Sequence, residues 1–124
     1  MSALGIGYYT AVDLARRNAR VILACRNTET ATAAAAQMRV ATGNENIVVQ
    51  ELDLSQLKSV RQFASIILEQ ETRLDILVNN AGTAGYIQCS LQTCIHQFKL
   101  KSTEILSSYP RLSTVYLELF YLVA

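Results

Sequence analysis

The sequence predicts an α/β protein built on a parallel sheet with flanking helices. Three observations carry this. Across residues 5–79 the apolar pattern alternates helix, strand, helix, strand, helix, strand, the order that parallel strands with right-handed crossovers produce. The strand candidates are short, continuous apolar runs, as suits a sheet covered on both faces. Turn-forming residues separate the segments.

The first element opens on Gly5 and continues as a helix to residue 18. Ala11, Leu14 and Ala15 stand at i, i+3 and i+4 and form one apolar stripe, and Arg16, Arg17 and Asn18 close it. Residues 20–25 hold Val21, Ile22, Leu23 and Ala24, a strand buried on both faces. Residues 28–42 are rich in alanine and strongly helix-forming, and Gly43 and Asn44 stop them. A second strand covers 47–52. Ser55 then caps a helix running to about Thr72, with Leu57, Val60, Ala64, Ile67 and Leu68 on one face. Residues 75–79, with Ile76, Leu77 and Val78, make the third strand.

A glycine turn leading into a helix calls for a strand in front of it, and only four residues precede Gly5. Beyond Gly82 the character changes. Residues 83–108 are mixed and polar without a clean period, and Pro110 breaks them. Residues 114–124 are apolar, β-branched and aromatic enough for a strand. The chain therefore divides into residues 1–82 and a divergent tail, 83–124.

Composition narrows the function classes. The 124 residues suffice for one domain, and a hydrophobic share of 51% supports a core and excludes disorder. A net charge of +1 argues against a nucleic-acid-binding face. Cys25, Cys89 and Cys94 make no disulfide framework, which predicts a reducing, intracellular setting. No signal peptide is visible. The apolar run 115–124, interrupted by Glu118, is too short for a membrane-spanning helix, which needs roughly 20 apolar residues. Cys89, Cys94 and His96 lack the paired spacing and the fourth ligand of a structural zinc site.

Four short stretches carry candidate chemistry. Gly5-Ile6-Gly7 at a helix start lets a phosphate approach backbone N–H groups, or is a helix start with permissive residues. Arg26 ends the first strand of the series. In a dinucleotide-binding sheet an acidic residue there holds a ribose 2′-hydroxyl and an arginine accommodates a 2′-phosphate, so Arg26 is either an NADP reader or a solvated loop residue. Asp53-Leu54 follows the next strand, where Asp53 accepts a hydrogen bond from an exocyclic amine or supports the Ser55 helix start. Asn79-Asn80-Ala81-Gly82 lines a crevice at the carboxyl edge of the sheet, or is an Asn-rich turn.

Taken in order, these motifs resemble the short-chain dehydrogenase/reductase family. Gly5-Ile6-Gly7 matches the end of its Thr-Gly-x-x-x-Gly-x-Gly turn, and residues 79–82 match its Asn-Asn-Ala-Gly motif. Residues 15–26, Ala-Arg-Arg-Asn-Ala-Arg-Val-Ile-Leu-Ala-Cys-Arg, are most similar to the retinol-dehydrogenase-like branch. The resemblance covers residues 5–82. It implies a Rossmann-type sheet and NADP as cofactor. Gly5, Ile6 and Gly7 would lie by the pyrophosphate, and Arg26 would face the 2′-phosphate. Asp53 and Leu54 would flank the adenine, while Asn79, Ala81 and Gly82 would support cofactor and sheet. The implied reaction is hydride transfer between a nicotinamide and an alcohol/carbonyl pair, such as a retinoid.

The chain departs from this pattern twice. Met1 falls where the first glycine of the turn would be, so the strand that the family places mid-sheet is missing. The catalytic half is absent as well. The family exchanges a proton through Tyr-x-x-x-Lys, and the residues four before Lys58, Lys99 and Lys101 are Leu54, Ile95 and Gln97. Tyr109, Tyr116 and Tyr121 have no lysine at that offset. The expected architecture is thus an incomplete Rossmann-type parallel sheet lacking its first strand and its catalytic half. Three functions follow: an NADP-dependent oxidoreductase by descent, a non-catalytic module that binds nucleotide or a partner, or an unstable fragment. A further expectation is that residues 115–123 pair as a strand in the vacated central slot.

Overall fold

The computed structural model describes residues 5–80, 113–119 and 121–123. They form α1 (Ile6–Arg16), β1 (Val21–Cys25), α2 (Thr28–Thr42), β2 (Ile47–Glu51), α3 (Leu57–Gln70), β3 (Ile76–Asn80), β4 (Ser113–Leu119) and β5 (Tyr121–Val123). The strands make one sheet in the order β2-β1-β5-β3-β4. The pairs β1–β2 and β3–β4 are parallel. Strand β5 runs antiparallel to both neighbours, with Val21 opposite Val123 on one side and Ile76 opposite Val123 on the other.

The sheet is therefore mixed where the sequence predicts a parallel one. The slot between β1 and β3 holds β5, and an apolar segment can satisfy the backbone groups of both neighbouring edges while running in either direction. Only Tyr121–Val123 takes that slot, and Ser113–Leu119 extends the far side of β3 instead.

Strand β1 shows why its run is apolar throughout. Side chains alternate across a sheet. Ile22 and Ala24 join a cluster with Leu52, Val60, Phe63, Ile67, Leu74 and Leu77. Val21 and Leu23 join another with Ala11, Val12, Ala15, Ala35, Met38 and Ile47. Helices α1 and α2 thus cover one face and α3 the other.

Local chemistry sets the helix ends. Asn27 caps α2, its side-chain oxygen accepting from the Thr30 N–H at 3.1 Å, and Gly43 ends that helix at φ 69°, where a side chain would be strained. Helix α3 departs from expectation at both ends and on its face. Its N-cap is Gln56, and it stops at Gln70 rather than Thr72. Ser55 does not cap it: the Ser55 N–H and hydroxyl both donate to Asp53 Oδ1, at 3.0 and 2.6 Å, closing a separate turn. Phe63 is buried at 1% exposure, whereas Leu68, expected on the inner face, is 46% exposed. The inner stripe steps from Val60 to Phe63 to Ile67, which rotates Leu68 outward.

Candidate functional site

Each parallel strand of this sheet delivers its following loop to the carboxyl edge, the usual ligand side of an open α/β sheet. The start of α1, the β1–α2 loop with Arg26, the β2–α3 loop with Asp53 and Leu54, and the end of β3 with Asn79 all reach that edge. The first two strand loops are tied together, because the Leu52 N–H donates to the Cys25 carbonyl at 2.9 Å. Arg26 and Asp53, each one residue further on, therefore leave the sheet side by side.

The start of α1 is bare. Gly5, its N-cap, has φ −73° and ψ −175°, an extended conformation open to any residue, and no side chain caps the helix. The first turn contains no acidic residue. Tyr8 N–H donates to the Gly5 carbonyl at 3.0 Å, but among the described residues the N–H groups of Ile6 and Gly7 have no acceptor. A Cβ on Gly5 would meet nothing within 4 Å. What glycine contributes here is room beside donors at the positive end of a helix, which suits an anionic group such as a pyrophosphate. Ile6 is 68% exposed beside this space, and Gly7 is buried.

Arg26 is exposed and makes no hydrogen bond or close ion pair among the described residues. Its charge is felt by Asp53. The Ser55 hydroxyl, then the Ser55 N–H, hold the Asp53 carboxyl below its ordinary range; desolvation opposes them, and the Gln56 amide and last the Arg26 charge add smaller downward contributions. Gln56 Nε2 donates to Asp53 Oδ2 at 2.9 Å, and the Asp53 N–H donates to Ser59 Oγ at 2.9 Å. The Asp53 carboxylate is thus hydrogen-bonded within its own turn at the approach to α3. Leu54 packs, half-buried, on the cluster beneath α3.

The backbone of Asn79 pairs with Tyr116 of β4, and the register shifts immediately afterwards so that Asn80 stands opposite Leu119. Ala81 and Gly82 lie outside the described residues, as do Cys89, Cys94 and His96. Among the described residues no group of three or more His, Cys, Asp or Glu side chains gathers, and no helix is long and apolar enough to cross a membrane. Two residues at the edge were not singled out by the sequence reading. Asn27 shapes the loop that carries Arg26, and its signal was an asparagine just before an alanine-rich helix. Cys25 is a half-buried free thiol whose pKa burial pushes up, 3.6 Å from the Asn27 carbonyl.

An uncapped helix start and an arginine without an ion partner among the described residues thus share one edge. The family model for short chain dehydrogenase matches residues 2–104, reaching past Gly82 into the stretch that the motifs alone set apart. Human dehydrogenase/reductase SDR family member 13 is 54% identical over 81 residues, 65% of this chain and 22% of that protein. Human retinol dehydrogenase 13 is 53% identical over 78 residues, 63% of this chain and 24% of that protein. The chain thus spans under a quarter of the length of these relatives in the matched region. Among solved structures, a metagenomic short-chain oxidoreductase in complex with NADP matches at TM-score 0.66 and 29% identity, covering 86% of this chain and 50% of that one. RhlG of Pseudomonas aeruginosa, in an NADP active-site complex, matches at TM-score 0.62 and 31% identity, covering 87% of this chain and 43% of that one. The chain belongs to the short-chain dehydrogenase family, in its retinol-dehydrogenase-like branch.

Proposed function

We propose that these residues are the nucleotide-binding front of an NADP(H)-dependent oxidoreductase. Gly5, Ile6 and Gly7 receive the pyrophosphate and Arg26 the 2′-phosphate. Asp53 and Leu54 stand beside the adenine, while Asn79, Ala81 and Gly82 support cofactor and sheet. The observation that carries this reading is the sharing of one sheet edge by an uncapped helix start and an arginine without an ion partner among the described residues. Relatives named retinol dehydrogenases, and solved relatives holding NADP, support the same direction.

When bound, NADP supplies hydride exchange with an alcohol/carbonyl pair, and the names of the relatives point to a retinoid. The 124 residues contain no Tyr-x-x-x-Lys, so they bind and orient the cofactor without moving the substrate proton. Calorimetric titration of the full chain with NADP+ and NAD+ tests this. Binding of NADP+ in preference to NAD+, with no turnover of NADPH against a carbonyl panel, is the expected result. Failure to bind either nucleotide overturns it.

The central strand supports a second reading, a stand-alone binding module in place of an unstable fragment. Tyr121–Val123 pairs with both β1 and β3, so the chain closes its own sheet. Such a module unfolds in one cooperative step. A broad melt with aggregation excludes it.

A further inference from the structure

We infer that Asp53 opposes Arg26 electrostatically at the carboxyl edge, holding the preference for a 2′-phosphorylated over an unphosphorylated cofactor below what Arg26 alone would set. This rests on the cofactor reading above and deepens it by assigning Asp53 a specificity role.

The argument starts from placement. Cys25 and Leu52 are joined by a 2.9 Å hydrogen bond, and Arg26 and Asp53 are the next residue on each strand. No hydrogen bond links their side chains among the described residues, so Asp53 is not holding Arg26 in a chosen pose. Its own position is fixed: Oδ1 accepts from the Ser55 N–H and hydroxyl, and Oδ2 from the Gln56 amide. Those donors hold the carboxylate in place, and its charge already interacts with that of Arg26. A phosphate paired with Arg26 would meet the same field, which reaches over a screening length of about 8 Å at physiological ionic strength. The repulsion falls on a 2′-phosphate and spares a 2′-hydroxyl. It therefore acts on the ratio of the two affinities, whatever Asp53 contributes to the adenine that both nucleotides share. Glu51, opposite Cys25 in register, and Glu29, in the first turn of α2, are the other acids near this edge. Among the described residues, neither carboxylate accepts a hydrogen bond.

The test uses Asp53→Asn, which keeps a carbonyl acceptor for Ser55 while removing the charge, and Asp53→Ser as a second neutral variant. Dissociation constants for NADP+ and NAD+ are measured by calorimetry on the full chain at low and high salt. Both variants should raise the NADP+/NAD+ preference about threefold at low salt, the scale of an exposed charge pair. The gain should vanish near 1 M salt, where the screening length is about 3 Å. Glu69→Gln, which removes a charge from the last turn of α3, should leave the ratio unchanged. An unchanged or lowered ratio in chains that still bind both nucleotides overturns the inference, as does reproduction of the gain by Glu69→Gln. A wild-type chain that binds neither nucleotide removes the cofactor reading itself, and the inference with it.

Discussion

At the amino end of β1, the Arg20 guanidinium donates to Glu71 at 2.7 to 3.2 Å and to the Asn46 side chain at 2.7 Å. At the carboxyl end of the same strand, Arg26 touches no carboxylate or amide among the described residues. Helix α1 repeats the contrast. Its last turn is closed, with the buried Asn44 donating to the Ala15 and Ala19 carbonyls at 3.0 and 2.8 Å. Its first turn offers N–H groups with no acceptor among the described residues. At one end of the sheet these polar groups are tied into the fold, while at the other Arg26 and the first N–H groups of α1 have no partner among the described residues.

The sharpest test of that contrast is Asn44→Ala. It removes a donor from the Ala15 and Ala19 carbonyls, the first of which still accepts from the Asn18 N–H at 3.0 Å, and leaves the Asn46 N–H, which donates to Asn44 Oδ1 at 2.8 Å, unmet. A loss of about 3 kcal/mol is expected, read from denaturant unfolding, with nucleotide affinity of the folded fraction unchanged. A loss below about 1 kcal/mol would break the claim that this end is the fastening. Glu71→Ala is expected to cost about 2 kcal/mol. The Glu71 side chain is only 9% exposed, but the stranded Arg20 side chain, at 35%, can turn to water, which moderates the penalty. The hydrogen bonding that Arg20 donates to Glu71 is also the main reason the Arg20 pKa is raised. Neither change should move the NADP+/NAD+ ratio.

The two ends were not equally legible. The elements through β3 could be read because β1 must be apolar on both faces and α2 is bounded by Asn27 and Gly43. Arg26 was visible as a charge after an apolar run. The fastening end was not, because Asn44 and Glu71 act at a distance in sequence: Asn44 reads as a helix stop until its amide is seen to reach back to Ala15. Ser55 misled for a related reason. A serine before a helix suggests a cap, and only the fold shows that Asp53 has already taken its hydroxyl. The direction of β5 was hidden too, since apolar content specifies a strand but not whether it runs parallel or antiparallel.

At the open end the expected effects are smaller and fall on binding. Arg26→Ala should weaken NADP+ about tenfold, or ~1.4 kcal/mol, and leave NAD+ unchanged. Its stability should stay within ~0.5 kcal/mol of wild type, because no described contact is lost. If Arg26→Ala destabilised the chain as Glu71→Ala does, the two ends would not differ in kind.

The smallest effect concerns Asp53 and acid. The Ser55 hydroxyl and N–H hold the folded carboxyl below its unfolded pKa of about 3.9. A group whose pKa is lowered on folding contributes stability that is fully present above the unfolded pKa. That contribution is lost as pH falls through the folded value. Unfolding midpoints for wild type and Asp53→Asn, taken at pH 7 and near pH 3, measure it. The wild type should lose more between the two pH values than the variant, by a margin smaller than any of the changes above, because the turn is at the surface and water screens it. Equal losses would mean that the turn around Asp53 is no tighter in the folded chain than in the unfolded one. The fixed carboxylate on which its opposition to Arg26 depends would then be absent.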